Sequence, residues 1–443
     1  MKGFLYYSAY ANIAETIRMD AACGRRAFGN PNAAAGSLAT ASMNAQATPE
    51  LFVLAARQYL ATAGASVCKV EMYDPAYAEW SCGFTAKRED DFLYVTSADP
   101  ATGLTPGMRI VAVGKNTIPF LLKDTGADIF WGRGTDREDW DLVYRMYDSV
   151  DVFPGDGHVK RLDLLHLPRG EEPAPVFSAT SVTDNAVLVR VDSLADLSSV
   201  QKTVSEVERL LAAQSAPYAK LILDLRSCTG DAVPEAFLAL LPYLVDAAIP
   251  AKTIMGDRKV WTIYSKHNAE RLIDALNKAS GSADPALLQD MIDGIEQKAA
   301  QVLEAKRSTL DQKERHLLAE LPEVIPSPFE DELVEPVPHA PKEVCILVDT
   351  TTGAGAEKLA ESVMHMQKVK LIGRTTPGAL DYENYLTIDY PDIMARFTYP
   401  ITRTDANRQG QGYASRGLPL NIHIPWTHKE CVEDVILKAA LDL

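Results

Sequence analysis

Val344-Cys-Ile-Leu-Val-Asp-Thr-Thr-Thr-Gly-Ala-Gly-Ala-Glu357-Lys-Leu-Ala360 is the stretch whose reading decides the fold. Val344 to Val348 form an unbroken apolar run, as expected of a strand buried on both faces. A polar turn follows, and then a segment able to open a helix. Glycines at 353 and 355 let the backbone approach a neighbour closely. The start of a helix adds unpaired N–H groups and positive partial charge. A second unit of the same design lies upstream, Leu221-Ile-Leu-Asp-Leu-Arg-Ser-Cys-Thr-Gly230-Asp-Ala-Val-Pro234. Here Pro234 stands at the first turn of the expected helix. In open α/β sheets, sites form at the carboxyl ends of strands. Two such turns meeting would offer N–H groups to an anion or a carbonyl oxygen. From composition alone, a pair of plain tight turns fits equally well.

Working outward, residues 181–255 read β-α-β-α. Ala186–Val191 is a strand, and Val200, Val204, Val207 and Leu211 mark one face of a helix ending at Ala213. Downstream come a helix over 356–367, a strand over 369–372 and a closing helix over 431–441. Residues 66–180 carry short β-rich runs at 67–72, 92–96, 109–113 and 162–167, with turn residues between them and an aromatic stretch over 130–147. Residues 1–65 read as helical, interrupted by an Ala-, Gly-, Asn- and Ser-rich stretch over 23–47. Thr48 is the expected N-cap, followed by Pro49 and a helix body over 51–60. Leu288, Ile292, Ile295, Ala299 and Val302 alternate three and four apart, which marks a helical pair inserted at about 260–322. That seam fits a surface hairpin, a homo-oligomer contact or a lid. Prolines 322, 326, 328, 336 and 338 make 322–341 an acidic linker.

The chain has 443 residues and a net charge of −16, which disfavours nucleic acid and anionic membrane surfaces as partners. No apolar run reaches the roughly 18 residues of a spanning helix. The first 18 residues lack the apolar core of a signal peptide, so a cytoplasmic location is expected. Six scattered cysteines contain no C-x-x-C pair, so neither a disulfide framework, a zinc site nor any other cofactor is expected.

The 221–232 unit resembles the D-L-R-x-N-x-G-G block of the carboxyl-terminal processing (tail-specific) serine peptidases. The 344–360 unit resembles their V-x-x-x-S-A-S-A-S-E-x-x-A block. Leu371-Ile-Gly-Arg-Thr-Thr-Pro-Gly378-Ala-Leu-Asp-Tyr382 resembles their G-E-x-T-x-G-K segment, and Gly417-Leu-Pro-Leu-Asn-Ile422 the closing G-I-x-P-D-I. Gly103-Leu-Thr-Pro-Gly-Met-Arg-Ile-Val-Ala-Val113 resembles the G-L-x-x-G-D-x-I-x-x-V core of PDZ domains. The resemblance implies an α/β, crotonase/Clp-protease-like β-α-β core over 181–443, a PDZ-like domain over 66–180, and a peptide or unstructured protein tail as substrate. In PDZ-like segments such a tail adds as a strand to a sheet edge. Trp80-Ser-Cys-Gly83-Phe84 is the best match to a carboxylate loop, and a plain strand start fits it equally well.

Carried over by position, the family's nucleophile falls on Ala354, three residues before Glu357, and its lysine base on Ala379. Neither half of a Ser–Lys dyad is present. The resemblance places the oxyanion and substrate contacts at Gly230, Asp231, Gly353, Gly355, Thr376, Gly378 and Ala379. A carboxylate at 231, where the family has its second glycine, is unfavourable beside an oxyanion. Asp381 and Tyr382 are candidate catalytic or orienting groups. Lys358, His365, Thr352 and Ser265-Lys-His267 are weaker candidates. Three readings follow. The chain is a serine endopeptidase carrying alanine in place of a nucleophilic serine, a natural pseudoenzyme that binds peptides, or a crotonase-like acyl-CoA enzyme.

Overall fold

The computed structural model describes residues 2–23, 47–65, 67–125, 138–155, 157–170, 173–213, 220–279, 285–307, 319–330, 332–414 and 416–443. Residues 130–137 of the aromatic 130–147 stretch and 24–46 of the Ala- and Gly-rich 23–47 stretch lie outside this set. The polypeptide is a mixed helix-and-sheet protein built on three sheets of five or six strands.

One six-stranded sheet holds both strand-turn-helix units. Its order is Phe177–Thr183, Ala186–Val191, Lys220–Asp224, Glu343–Val348, Val369–Gly373 and Ile422–His423. The first pair is antiparallel and every other pairing is parallel. The apolar runs explain this placement. Leu221, Leu223, Val344, Ile346 and Val348 pack beneath helices Leu197–Ala213, Pro234–Leu244 and Ala354–Val363. Ile222, Cys345 and Leu347 point to the opposite face, against Ile436 and Ala440 of helix Val435–Leu441. Period-2 alternation with both faces covered leaves no room for polar residues. The Lys220 ammonium donates to Ala440 O at 3.0 Å, and Arg226 forks onto Asp434, so the last helix is held at both ends.

A second sheet runs Lys69–Met72, Ala395–Thr404, Arg258–Ile263 and Glu320–Ile325, with Tyr382–Tyr390 forming a hairpin on Ala395–Thr404. Helices Lys2–Met19 and Pro49–Thr62 pack with it in one core around Ile13, Ile17, Phe52 and Phe397. Thr48 caps the second of these helices, accepting from Leu51 N–H at 3.3 Å behind Pro49.

This sheet corrects two expectations. Residues 258–263 and 320–325 are paired strands, so the inserted helices Lys266–Ala279 and Pro285–Arg307 hang between two strands of a core sheet. The acidic 322–341 stretch is therefore no free linker. Its start is an edge strand, where a proline without a donor is tolerated, and Leu333–Val334 pairs with Ile249–Pro250. Glu323 within it is paired with Thr262, Tyr264 and Lys298, and Glu320 just before it with Arg403 at 2.9 Å.

The third sheet runs Phe84–Glu89, Phe92–Ala98, Arg109–Val113, Ser149–Phe153 and Lys160–Asp163, with Asn116–Thr117 beside Arg109–Val113. Leu93, Val95, Ile110, Val113, Val150 and Val152 alternate into its own core. It is narrower than the expected 66–180 unit. Lys69–Met72 belongs to the second sheet and Phe177–Thr183 to the parallel one.

Candidate active site

Lys220–Asp224 and Glu343–Val348 are neighbours, with Asp224 opposite Leu347, so their following turns leave the same edge of the sheet side by side. Hydrogen bonds continue the pairing past the strands. Leu225 N–H donates to Leu347 O at 3.0 Å, and Gly353 N–H donates to Cys228 O at 2.7 Å. Gly355 N–H donates to Gly230 O at 3.1 Å. The Thr351 hydroxyl donates to Arg226 O, and that of Thr352 to Leu225 O at 3.3 Å. The two glycines are required by this contact. A Cβ on Gly353 would lie 2.8 Å from Gly230 N, and one on Gly355 would lie 2.8 Å from Ala232 Cβ.

Ala354 is the first residue of its helix, half-buried at the end where the backbone dipole is positive. Thr229, Gly230 and Asp231 form an exposed rim beside it, with Gly230 at φ +80°. The carboxylate at 231 is thus solvated and need not face the pocket. Val348 pairs with Gly373 of the next strand, which brings the 374–381 turn to the other flank.

Glu357 joins these parts. It lies three residues after Ala354, on the same side of the helix. It is fully buried and accepts the N–H groups of Gly378 and Ala379, each at 2.7 Å. The helix that begins at Ala354 is thereby tied to the turn that carries Ala379, the two positions expected to hold the dyad lying on these two elements. Sequence reasoning passed over Glu357 as a site residue. An acidic side chain in a first helical turn ordinarily looks like a solvated partner of the dipole.

The other candidates have structural duties. The Thr376 hydroxyl, buried, accepts from Leu418 N–H at 2.9 Å. Gly378 is left-handed, at φ +72°, with Tyr413 O where a side chain would begin. Asp381 is buried and accepts from Asn407 Nδ2 at 2.9 Å and from Ala414 N–H. Its carboxylate therefore clamps the loop before Gly417. Burial pushes the Tyr382 phenol far above its ordinary value, so it holds its proton. Thr352 is fully buried, accepts from Asp349 N–H at 2.9 Å and donates to Leu225 O, which removes it as a substitute nucleophile. Lys358 pairs with Glu361 at 2.6 Å. His365 is exposed beyond the end of helix Ala354–Val363. Ser265 caps helix Lys266–Ala279 through Asn268 N–H at 3.1 Å, and His267 Nδ1 lies 3.2 Å from Asp20.

The arrangement holds two small apolar positions beside a helix start, with the Gly355 amide, the expected oxyanion donor, occupied by Gly230 O. Among the described residues, no group of three or more His, Cys, Asp or Glu is placed to hold a metal ion, and no helix is long and apolar enough to cross a membrane.

No family model matches the chain, and no curated protein matches it in sequence. Solved structures do. Mature CPAF complexed with lactacystin aligns at a TM-score of 0.57 and 13% identity, over 99% of this chain and 96% of that one. The CPAF S499A mutant aligns at 0.57 and 11% identity over the same shares. A photosystem II D1 C-terminal processing protease aligns at 0.36 and 13% identity, over 96% of this chain and 93% of that one. With the two CPAF structures the chain shares a fold along almost its whole length.

Proposed function

We propose that this chain is a serine-peptidase scaffold that binds an extended peptide or an unstructured protein tail without hydrolysing it. The observation that carries this reading is alanine at both 354 and 379, on a helix start and a turn that Glu357 ties together, while Gly355 N–H is spent on Gly230 O. Acyl-enzyme chemistry needs a nucleophile, a base and open donors for the oxyanion. The serine is absent at 354, the family's lysine is absent at 379, and one of the expected oxyanion donors, Gly355 N–H, is already spent, which a single serine-to-alanine replacement would not produce.

In this reading the six-stranded parallel sheet and its helices form the crotonase-like core, and the Phe84–Asp163 sheet is the PDZ-like unit. Phe84–Glu89 is an edge strand of that sheet, with Phe92–Ala98 on one side only. The residue before it, Gly83, is left-handed at φ +75°. An added peptide strand would be held there by main-chain hydrogen bonds, with its carboxylate at the 81–83 turn.

The second reading, a serine peptidase whose nucleophile is replaced at 354, is favoured by the intact apposition of the 225–230 and 351–355 turns. It requires a base from somewhere other than position 379.

Fluorescence anisotropy with labelled unstructured peptides tests the binding claim. Saturable binding is expected, at least tenfold weaker when the peptide carboxylate is amidated, with every peptide recovered intact by mass spectrometry. Indifference to amidation, or cleavage of the peptides, would count against it.

A further inference from the structure

Cys23 and Cys68 lie 45 residues apart in sequence, yet their sulfurs are 3.4 Å apart. Both are buried, at 6% and 4% exposure, and among the described residues no other two cysteines touch. Their closeness is imposed by the backbone. Ala22 N–H donates to Pro400 O at 2.8 Å, while Lys69, next to Cys68, pairs with Thr398. Both cysteines are thus anchored beside the same strand, Ala395–Thr404, at positions two residues apart. The sulfurs need to close by roughly 1.4 Å to reach the about 2.05 Å of a disulfide, a distance that side-chain rotation supplies.

We infer that Cys23 and Cys68 are a dithiol modification site, which a peroxide-class oxidant converts to a reversible disulfide joining the end of the first helix to the strand Lys69–Met72. The balance closes with one hydrogen peroxide. Each sulfur gives up one electron, the S–S bond forms, the O–O bond breaks, and the two thiol protons leave in two waters. Burial, with Cys23 alongside, pushes the Cys68 thiol well above its ordinary value. One sulfur takes oxygen as a sulfenic acid, releasing the first water, and the other displaces that oxygen as the second. In the oxidised protein the residues between the two cysteines become a closed loop, which narrows the unfolded ensemble.

The test counts free thiols with a maleimide in denaturant, before and after hydrogen peroxide treatment of the full chain. Two of the six thiols should disappear together. An unreduced tryptic digest should contain peptide 19–25 joined to peptide 58–69, lighter than the sum by two hydrogens. Dithiothreitol should restore both thiols and lower the melting temperature of the oxidised protein. In Cys23→Ala and in Cys68→Ala the linked peptide should be absent. Refolding the wild-type chain in mixed reduced and oxidised glutathione should yield the same linked peptide, even if peroxide fails to penetrate the native core. A different pairing, stepwise oxidation to sulfinic acid without the linked peptide, or six free thiols after both treatments would overturn the inference.

Discussion

Replacing Glu357 by alanine should destabilise the protein by about 2–6 kcal/mol, the largest effect expected of any single side chain at the site. The carboxylate is fully buried and accepts the amides of Gly378 and Ala379. Removing it strands two buried donors, at about 1–3 kcal/mol each. Glu357→Gln should cost roughly half as much, since it keeps one acceptor but turns an NH2 toward the second amide. Urea unfolding followed by circular dichroism reads the difference. Equal midpoints for wild type and Glu357→Ala would mean that the 378–379 turn is held by something else, and the tie between that turn and the helix that begins at Ala354 would lose its basis.

Gly353→Ala should cost about 1–3 kcal/mol, as expected of overpacking. The new Cβ would meet Gly230 N at 2.8 Å and Thr229 Cα at 2.9 Å. Both are backbone atoms, so neither can swing away as a side chain would. The turns must separate, and the Gly353–Cys228 and Gly355–Gly230 hydrogen bonds should weaken together. Amide hydrogen exchange is the sharper probe. The Gly355 amide should lose protection by more than tenfold while the amides of Val344–Val348 keep theirs. An unchanged midpoint with unchanged protection at Gly355 would show that the two turns do not meet as described.

The parallel sheet was legible because its strands are apolar on both faces. Uninterrupted runs such as Leu221–Leu223 and Val344–Val348 leave few alternatives. The start of helix Pro49–Thr62 was equally open, since Thr48 and Pro49 act locally. The second sheet was hidden for two reasons. Its pairings are remote, Lys69 with Thr398 being the clearest, so no local pattern announces them. Its edge strand Glu320–Ile325 also turns carboxylates inward, and these are matched by Arg403, Lys298, Tyr264 and Thr262 from other segments. Without those partners, an acidic stretch containing Pro322 reads as a linker. At the candidate site, motif spacing located the two turns. The duties of Glu357, Thr376 and Asp381 depend on which amides arrive beside them, and that is fixed by tertiary packing.

Restoring the hydroxyl is the most direct measurement. Ala354→Ser should fold like the wild type, bind the same peptides, show no cleavage of unfolded protein tails and resist labelling by a fluorophosphonate. A serine there would still lack the family's lysine at 379, and Gly355 N–H would still be held by Gly230 O. Turnover of peptide or covalent labelling by Ala354→Ser would contradict the account and identify the chain as a peptidase silenced at one atom.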